Sequence, residues 1–324
     1  MHSIEFYRNE FISYLEQKTK TKEPKNLYEP ITYILGLGGK RLRPILTLLS
    51  TEIFATEYKN ALDAALAIEV FHNFSLVHDD IMDAAPLRRG KSTVHEKWDI
   101  NTGILSGDAM LITAYQLFEN YKGDTFKNLA KLFSKTALQV CEGQQYDIDF
   151  EDRDDVTLPE YLKMIEYKTA VLVAAALKMG GIIAEASLED QNEIYDFGLN
   201  LGIAFQLQDD YLDAFGNPKT FGKQVGGDII ENKKTFLYLN VLENGSAQQK
   251  KELLDMYSIQ PQDPSDKIVS TKEIFEESGS VEHTKLAIAT YTNQAFTILE
   301  KLDVSADKRK LLRNFGEILM NREV

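Results

Sequence analysis

The chain has 324 residues, 44% of them hydrophobic and 27% charged, a balance that supports a sizeable core and excludes disordered and fibrous classes. Its formal net charge of -14 repels a phosphate backbone on average, which excludes nucleic acid as a partner. One cysteine, Cys141, excludes an intrachain disulfide and fits a reducing compartment, so a cytoplasmic setting is expected.

The opening segment carries Glu5, Arg8 and Glu10 and lacks the apolar core of a signal peptide. Apolar positions at three- and four-residue spacing predict helices over 3–19, 26–37 and 44–56, with Pro24, Pro30 and Pro44 outside periodic segments or at their starts. From Ala61 to Asp83 nearly every residue is apolar or small, which predicts a helix buried all round. Helices follow over 104–121 and 125–147, and the acidic stretch Asp147 to Asp155 reads as a solvated loop. Further helices are expected over 158–185, 189–214, 228–243, 247–257, 281–302 and 307–321. The longest apolar run, Ala170 to Leu177, is too short to span a bilayer, so no transmembrane segment is expected. Alternating strand patterns with hairpin turns are missing, and no Ser/Gly-rich linker divides the chain. The expectation is an all-α fold, a single large bundle of mostly antiparallel helices forming one domain over 1–324.

Two segments resemble each other, Leu76 to Asp83 (LVHDDIMD) and Gln206 to Asp213 (QLQDDYLD), each ending an apolar helix with Asp-Asp-x-x-Asp. Residues four apart share a helix face, so Asp79 with Asp83 and Asp209 with Asp213 each form a two-carboxylate row. Like charges at the end of an apolar helix call for a cation. Carboxylate oxygens suit Mg²⁺, whose remaining positions are filled by water and substrate phosphate, and two facing rows would cage a magnesium-bridged diphosphate. An exposed acidic helix end explains one such motif equally well, but explains two poorly. Gly38 to Pro44 (GGKRLRP) places flexible glycines, then Lys40, Arg41 and Arg43, then a proline suited to a first helical turn, as an anion cradle would. Arg88, Arg89 and Gly90 follow the first acidic row, and guanidinium groups match phosphate oxygens bidentately.

Taken in order, these motifs resemble the trans-isoprenyl diphosphate synthases, or polyprenyl synthetases, from about Gly38 through Thr235. GGKRLRP is similar to that family's isopentenyl diphosphate motif, DDIMD with RRG to its first aspartate-rich region, and DDYLD to its second. Lys168–Thr169, Phe205–Gln206, Gly222–Lys223, Gly227–Asp228 and Asn232–Lys233 fit as well. The resemblance implies an isoprenoid synthase-like bundle around a central cavity, several Mg²⁺ ions and a homodimer. It also implies head-to-tail transfer of an allylic group from dimethylallyl, geranyl or farnesyl diphosphate to isopentenyl diphosphate. Asp79, Asp83 and Asp209 would bind Mg²⁺ directly, with Asp80, Asp210 and Asp213 in support. Arg88, Lys168, Lys223 and Lys233 would hold the allylic diphosphate, and Lys40, Arg43, His72 and Arg89 the isopentenyl diphosphate. The Lys168 carbonyl with Thr169 and Gln206 would face the allylic cation.

His72 taken alone reads equally as a hydrogen-bonded core histidine, and His78 is not expected to ligate a metal that prefers oxygen. Ser92 stands where the family commonly has proline, and the end of the chain, Asn321 to Val324, lacks the basic tail of some relatives. A terpene cyclase would share the fold and first motif but not GGKRLRP. A non-catalytic partner subunit would have lost an acidic motif or its lysines. Upstream of Asp79, Phe74 and Phe71 lie ~7.5 Å and ~12 Å along the helix axis; either alone reads as a core residue, but the resemblance implies that bulk there floors the tail pocket and keeps products at farnesyl or geranylgeranyl length. Ser75 leaves room beside them.

Overall fold

Apolar spacing of three and four residues does produce helices along the chain, in a computed structural model that describes residues 2–55, 57–217 and 225–320. These form two compact units, Met1–Lys135 with Ala175–Asn192, and Thr136–Ala174 with Glu193–Val324.

The first unit contains α1 (Ile4–Lys18), α2 (Lys25–Gly36), α3 (Leu42–Ile53), a 3₁₀ turn at Tyr58–Ala61, and α4 (Leu62–Met82). A hairpin of β1 (Leu87–Arg88) and β2 (Lys91–Ser92) follows, then α5 (Val94–Lys97), α6 (Ile100–Phe118) and the start of α7 (Gly123–Asp152). The Ser3 side chain caps α1 by accepting the Phe6 N–H at 3.2 Å. α4 and α6 approach closely because α6 offers glycines one turn apart. A Cβ on Gly103 would come within 2.9 Å of the Ile81 side chain, and one on Gly107 would collide with the His78 ring.

The second unit holds the rest of α7, then α8 (Leu158–Ile165), a π turn at Glu166–Ala170, the start of α9 (Val171–Ile183), and most of α10 (Leu188–Phe215). Helices Gly227–Ile230, Phe236–Asn244, Ala247–Tyr257, Ser265–Glu277, Ser280–Leu299 and Ala306–Met320 complete it. Thr157 and Glu160 close a capping box at the start of α8. Tyr161, Leu207, Phe236 and Phe275 belong to one buried apolar cluster.

Several expectations need correction. α4 is not buried all round: between Ala64 and Asp80, His72, Ser75, Leu76, His78 and Asp79 are only partly buried. Pro30 lies inside α2, where it forgoes one backbone bond. α7 continues through Asp152, so most of the acidic stretch is helix rather than loop. The hairpin was missed because two-residue strands are too short to show alternation. Its turn residues, Arg89 and Gly90, both take positive φ, 54° and 72°, the conformation that Gly-containing two-residue hairpin turns use. Helix Ser265–Glu277 was also missed, because only Ile268, Val269, Ile274 and Phe275 mark its apolar positions. Among the described residues no helix is long and apolar enough to cross a membrane.

Candidate active site

α4 presents the first acidic row along its partly buried stripe, in which His72, Leu76 and Asp79 succeed one another at four- and three-residue steps and the exposed Asp83 follows four residues on. Asp83 caps the helix, its N–H donating to the Asp79 carbonyl at 2.9 Å. Asp80 points the other way and is 1% exposed. Arg88 on β1 donates to both Asp80 oxygens from Nε, at 2.8 and 2.9 Å, and its Nη2 lies 3.9 Å from Asp79 Oδ2. Burial pushes the Asp80 carboxyl above its usual range, against the Arg88 hydrogen bonds, which pull it down. The middle aspartate thus anchors the hairpin while Asp79 and Asp83 remain on the open stripe.

A basic cluster is built in the same unit. Gly38 and Gly39 take positive φ, and a Cβ on Gly39 would come within 3.0 Å of the Arg89 guanidinium, which donates to the Gly38 carbonyl. Arg41 departs from its expected place among the cradle cations. It is buried, takes a left-handed conformation at the start of α3, and pairs with the buried Glu69 and the Leu35 carbonyl. Arg43 Nη1 lies 3.2 Å from His72 Nε2, and since a guanidinium only donates, Nε2 must accept and the neutral ring carries its proton on Nδ1. Burial, then Arg43, Arg89, Arg88 and Arg41, hold His72 well below its ordinary pKa. Burial lowers Arg43 to about 10, with Glu69 opposing. Among the described residues the buried Arg43 Nε has no partner. Lys40 is exposed at the rim. Several cations around one buried carboxylate leave a net positive site fit for an anion.

The second acidic row repeats the first. On α10, Gln206, Asp209 and Asp213 lie on a partly buried stripe, while Asp210 is 8% exposed and turned inward. Asp210 accepts from the Tyr161 hydroxyl and, at 2.9 Å, from Gln206 Nε2. Burial first, then Asp228, raises the Asp210 carboxyl, with Tyr161 and Gln206 opposing. Asp213 Oδ2 accepts the Asp228 N–H at 2.9 Å.

The π turn sets Lys168 and Thr169 between two glycines. A Cβ on Gly143 of α7 would collide with the Lys168 backbone, and one on Gly202 of α10 would come within 2.7 Å of the Ala170 Cα. π turns re-aim backbone groups and recur at functional sites. Lys168 pairs with Asp147, and Thr169 Oγ1 donates to Gln206 Oε1 at 3.1 Å. Asp147 was missed by the sequence reading, which placed it at the start of a loop; its spacing of four from Gly143 was the available signal. Lys233 lies 3.8 Å from Asp228 Oδ1 and 3.0 Å from Glu231 Oε2; burial acts to lower its pKa, but these carboxylates raise it. Lys234 instead donates to the Phe150, Glu151 and Arg153 carbonyls at the end of α7. Lys223 lies outside the described residues.

Phe71 and Phe74 stand on the α6-facing side of α4, 5.5 Å apart between ring centroids. Phe133 contacts Phe71 at 5.1 Å, Phe118 at 5.1 Å and Tyr115 at 4.8 Å, so the aromatic cluster is larger than the two rings the sequence singled out. Ser75 lies on the neighbouring, partly buried stripe. His78 Nε2 faces the Ile104 carbonyl at 3.3 Å, and its ring stacks edgewise on Phe74 at 4.7 Å.

Among the described residues no three carboxylate, imidazole or thiol groups form a ready-made metal cage. The oxygen donors of each row taken by itself, Asp79 with Asp83 and Asp209 with Asp213, nevertheless suit a hard divalent ion that takes much of its coordination from water and phosphate.

These features coincide with a family defined by sequence. The polyprenyl synthetase profile matches residues 24–276. A geranylfarnesyl diphosphate synthase of Natronomonas pharaonis is 35% identical over 97% of this chain and 94% of its own. A crystal structure of a geranylgeranyl pyrophosphate synthase is 54% identical, covers all of both chains and superposes with a TM-score of 0.96. Polyprenyl synthase from Caulobacter crescentus CB15, complexed with calcium and isoprenyl diphosphate, is 26% identical over 99% of this chain and 96% of its own, with a TM-score of 0.87. The chain belongs to the polyprenyl synthetase family, and its fold is the all-helical isoprenoid synthase fold. It is a prenyl diphosphate synthase, a transferase whose reaction is head-to-tail prenyl condensation.

Proposed function

We propose that the enzyme condenses isopentenyl diphosphate with an allylic diphosphate up to geranylgeranyl diphosphate, with Mg²⁺ as its metal. The observation that carries this is the repeated design of the two acidic rows: in each, the middle aspartate is pinned inside the protein and the outer pair lies on an open stripe. A geranylgeranyl relative at 54% identity supports the product length. Asp79, Asp83 and Asp209 hold Mg²⁺, with Asp80, Asp210 and Asp213 supporting them. When bound, the metal neutralises charge growing on the departing diphosphate. Arg88, Lys168, Lys223 and Lys233 bind the allylic diphosphate; Lys40, Arg43, His72 and Arg89 bind the isopentenyl diphosphate. Thr169, Gln206 and the Lys168 carbonyl present oxygen dipoles to the allylic cation, and apolar surroundings exclude the water that would quench it.

The profile match spans both units, which supports one working domain over 1–324 in a cytoplasmic enzyme. Ile104, Leu105, Ile112 and Tyr115 form an exposed apolar stripe on α6, which supports a homodimer. The test is incubation of the purified chain alone with labelled isopentenyl diphosphate and dimethylallyl, geranyl or farnesyl diphosphate. Twenty-carbon product, lost in excess chelator and restored by Mg²⁺, is expected; undiminished turnover in chelator refutes the metal assignment.

A further inference from the structure

Helix Ser265–Glu277 lies outside every motif named above, yet it touches the loop that leads to Lys233. Ile268 packs on Gly226, where a Cβ would come within 3.0 Å of its Cδ1. One residue earlier, Lys267 is only 2% exposed. Its ammonium donates to the Asn232 side-chain oxygen and to the Ile259 carbonyl at 2.9 Å, and lies 5.6 Å from the centre of the Tyr257 ring. Among the described residues no carboxylate pairs with it. A buried ammonium satisfied only by neutral acceptors costs stability, and burial depresses its pKa. An apolar residue of similar volume would suit the fold as well or better.

The placement gives this cation a purpose. Asn232 takes a left-handed conformation with φ of 57°, which asparagine tolerates better than most residues with a side chain, and Lys267 grips that side chain. The next residue is Lys233, whose N–H donates to the Asp228 carbonyl at 2.9 Å; the Asp228 N–H in turn donates to Asp213. We propose that Lys267 is a positioning residue: it holds Asn232 left-handed and thereby aims Lys233 at the allylic diphosphate. This rests on the assignment of Lys233 made above, and Lys267 itself touches no substrate.

The test is steady-state kinetics of the full chain, each substrate varied in turn, together with thermal unfolding. Lys267→Met should keep or raise the unfolding temperature while raising the allylic KM roughly tenfold, as loss of a supporting contact does, and leave the isopentenyl diphosphate KM unchanged. Asn232→Ala, which loses both the acceptor and the tolerance of left-handed backbone, should show the same split, and Asn232→Gly, which keeps the backbone, a smaller one. An unchanged allylic KM in Lys267→Met, or equal weakening of both substrates, overturns the inference. Lys233→Ala separates the two layers. If it leaves the allylic KM unchanged while Lys267→Met raises it, the assignment of Lys233 fails and Lys267 acts through Asp228; if only Lys233→Ala raises it, Lys267 is not a positioning residue.

Discussion

Phe74→Ala offers a direct test of what limits product length. Phe74 is 8% exposed and packs against Phe71 and His78, so its truncation removes a buried ring and leaves a cavity worth about 3 kcal/mol. For a chain of this size that corresponds to a fall in unfolding temperature of roughly 4 °C. Phe71 lies one turn further from Asp79, about 4.5 Å along the axis, which is near the length of one isoprene unit. If the rings form the floor of the tail pocket, Phe74→Ala should shift products from twenty to twenty-five carbons, and adding Phe71→Ala should lengthen them again. Chromatography of the dephosphorylated products reads the outcome directly. A lowered unfolding temperature with an unaltered product distribution in the double variant would show that both rings, clustered with Phe118 and Phe133, are core residues only.

Asp79→Asn and Asp209→Asn should each lower turnover by orders of magnitude with the circular dichroism of the folded chain intact, whereas retained turnover would remove these residues from the metal site. Lys40→Ala should chiefly raise the KM for isopentenyl diphosphate. Arg41→Ala, one residue on, strands Glu69 and should instead cost about 3–5 kcal/mol in denaturant unfolding, and equal behaviour of the two variants would contradict the division between them. The depressed His72 pKa carries a stability signature of definite sign: below its ordinary pKa the unfolded chain takes up a proton that the folded chain refuses. Stability should therefore fall as pH drops below about 6.5, by at most about 1.4 kcal/mol per pH unit from this group, and His72→Gln should flatten that slope. An identical pH dependence in the variant would show that His72 is not held neutral.

Much of the site was legible in the sequence because its chemistry is local. Asp79 and Asp83, or Asp209 and Asp213, share a helix face by spacing alone, and GGKRLRP announces an anion site through adjacent glycines and cations. The helical class followed from periodicity for the same reason. Periodicity could not say which side each aspartate would face once neighbours packed around it. Tertiary structure turned Asp80 toward Arg88 and Asp210 toward Tyr161, making the middle aspartate of each motif an anchor. It also separated Arg41, buried against Glu69 from 28 residues away, from Arg43, whose guanidinium meets His72. Asp147 and Lys267 gained their meaning only from partners distant in the chain, Lys168 and Asn232. The sequence by itself determined which residue types stand at which helical positions; only packing decided which charges were desolvated and paired, because burial and partnership depend on elements that folding brings together.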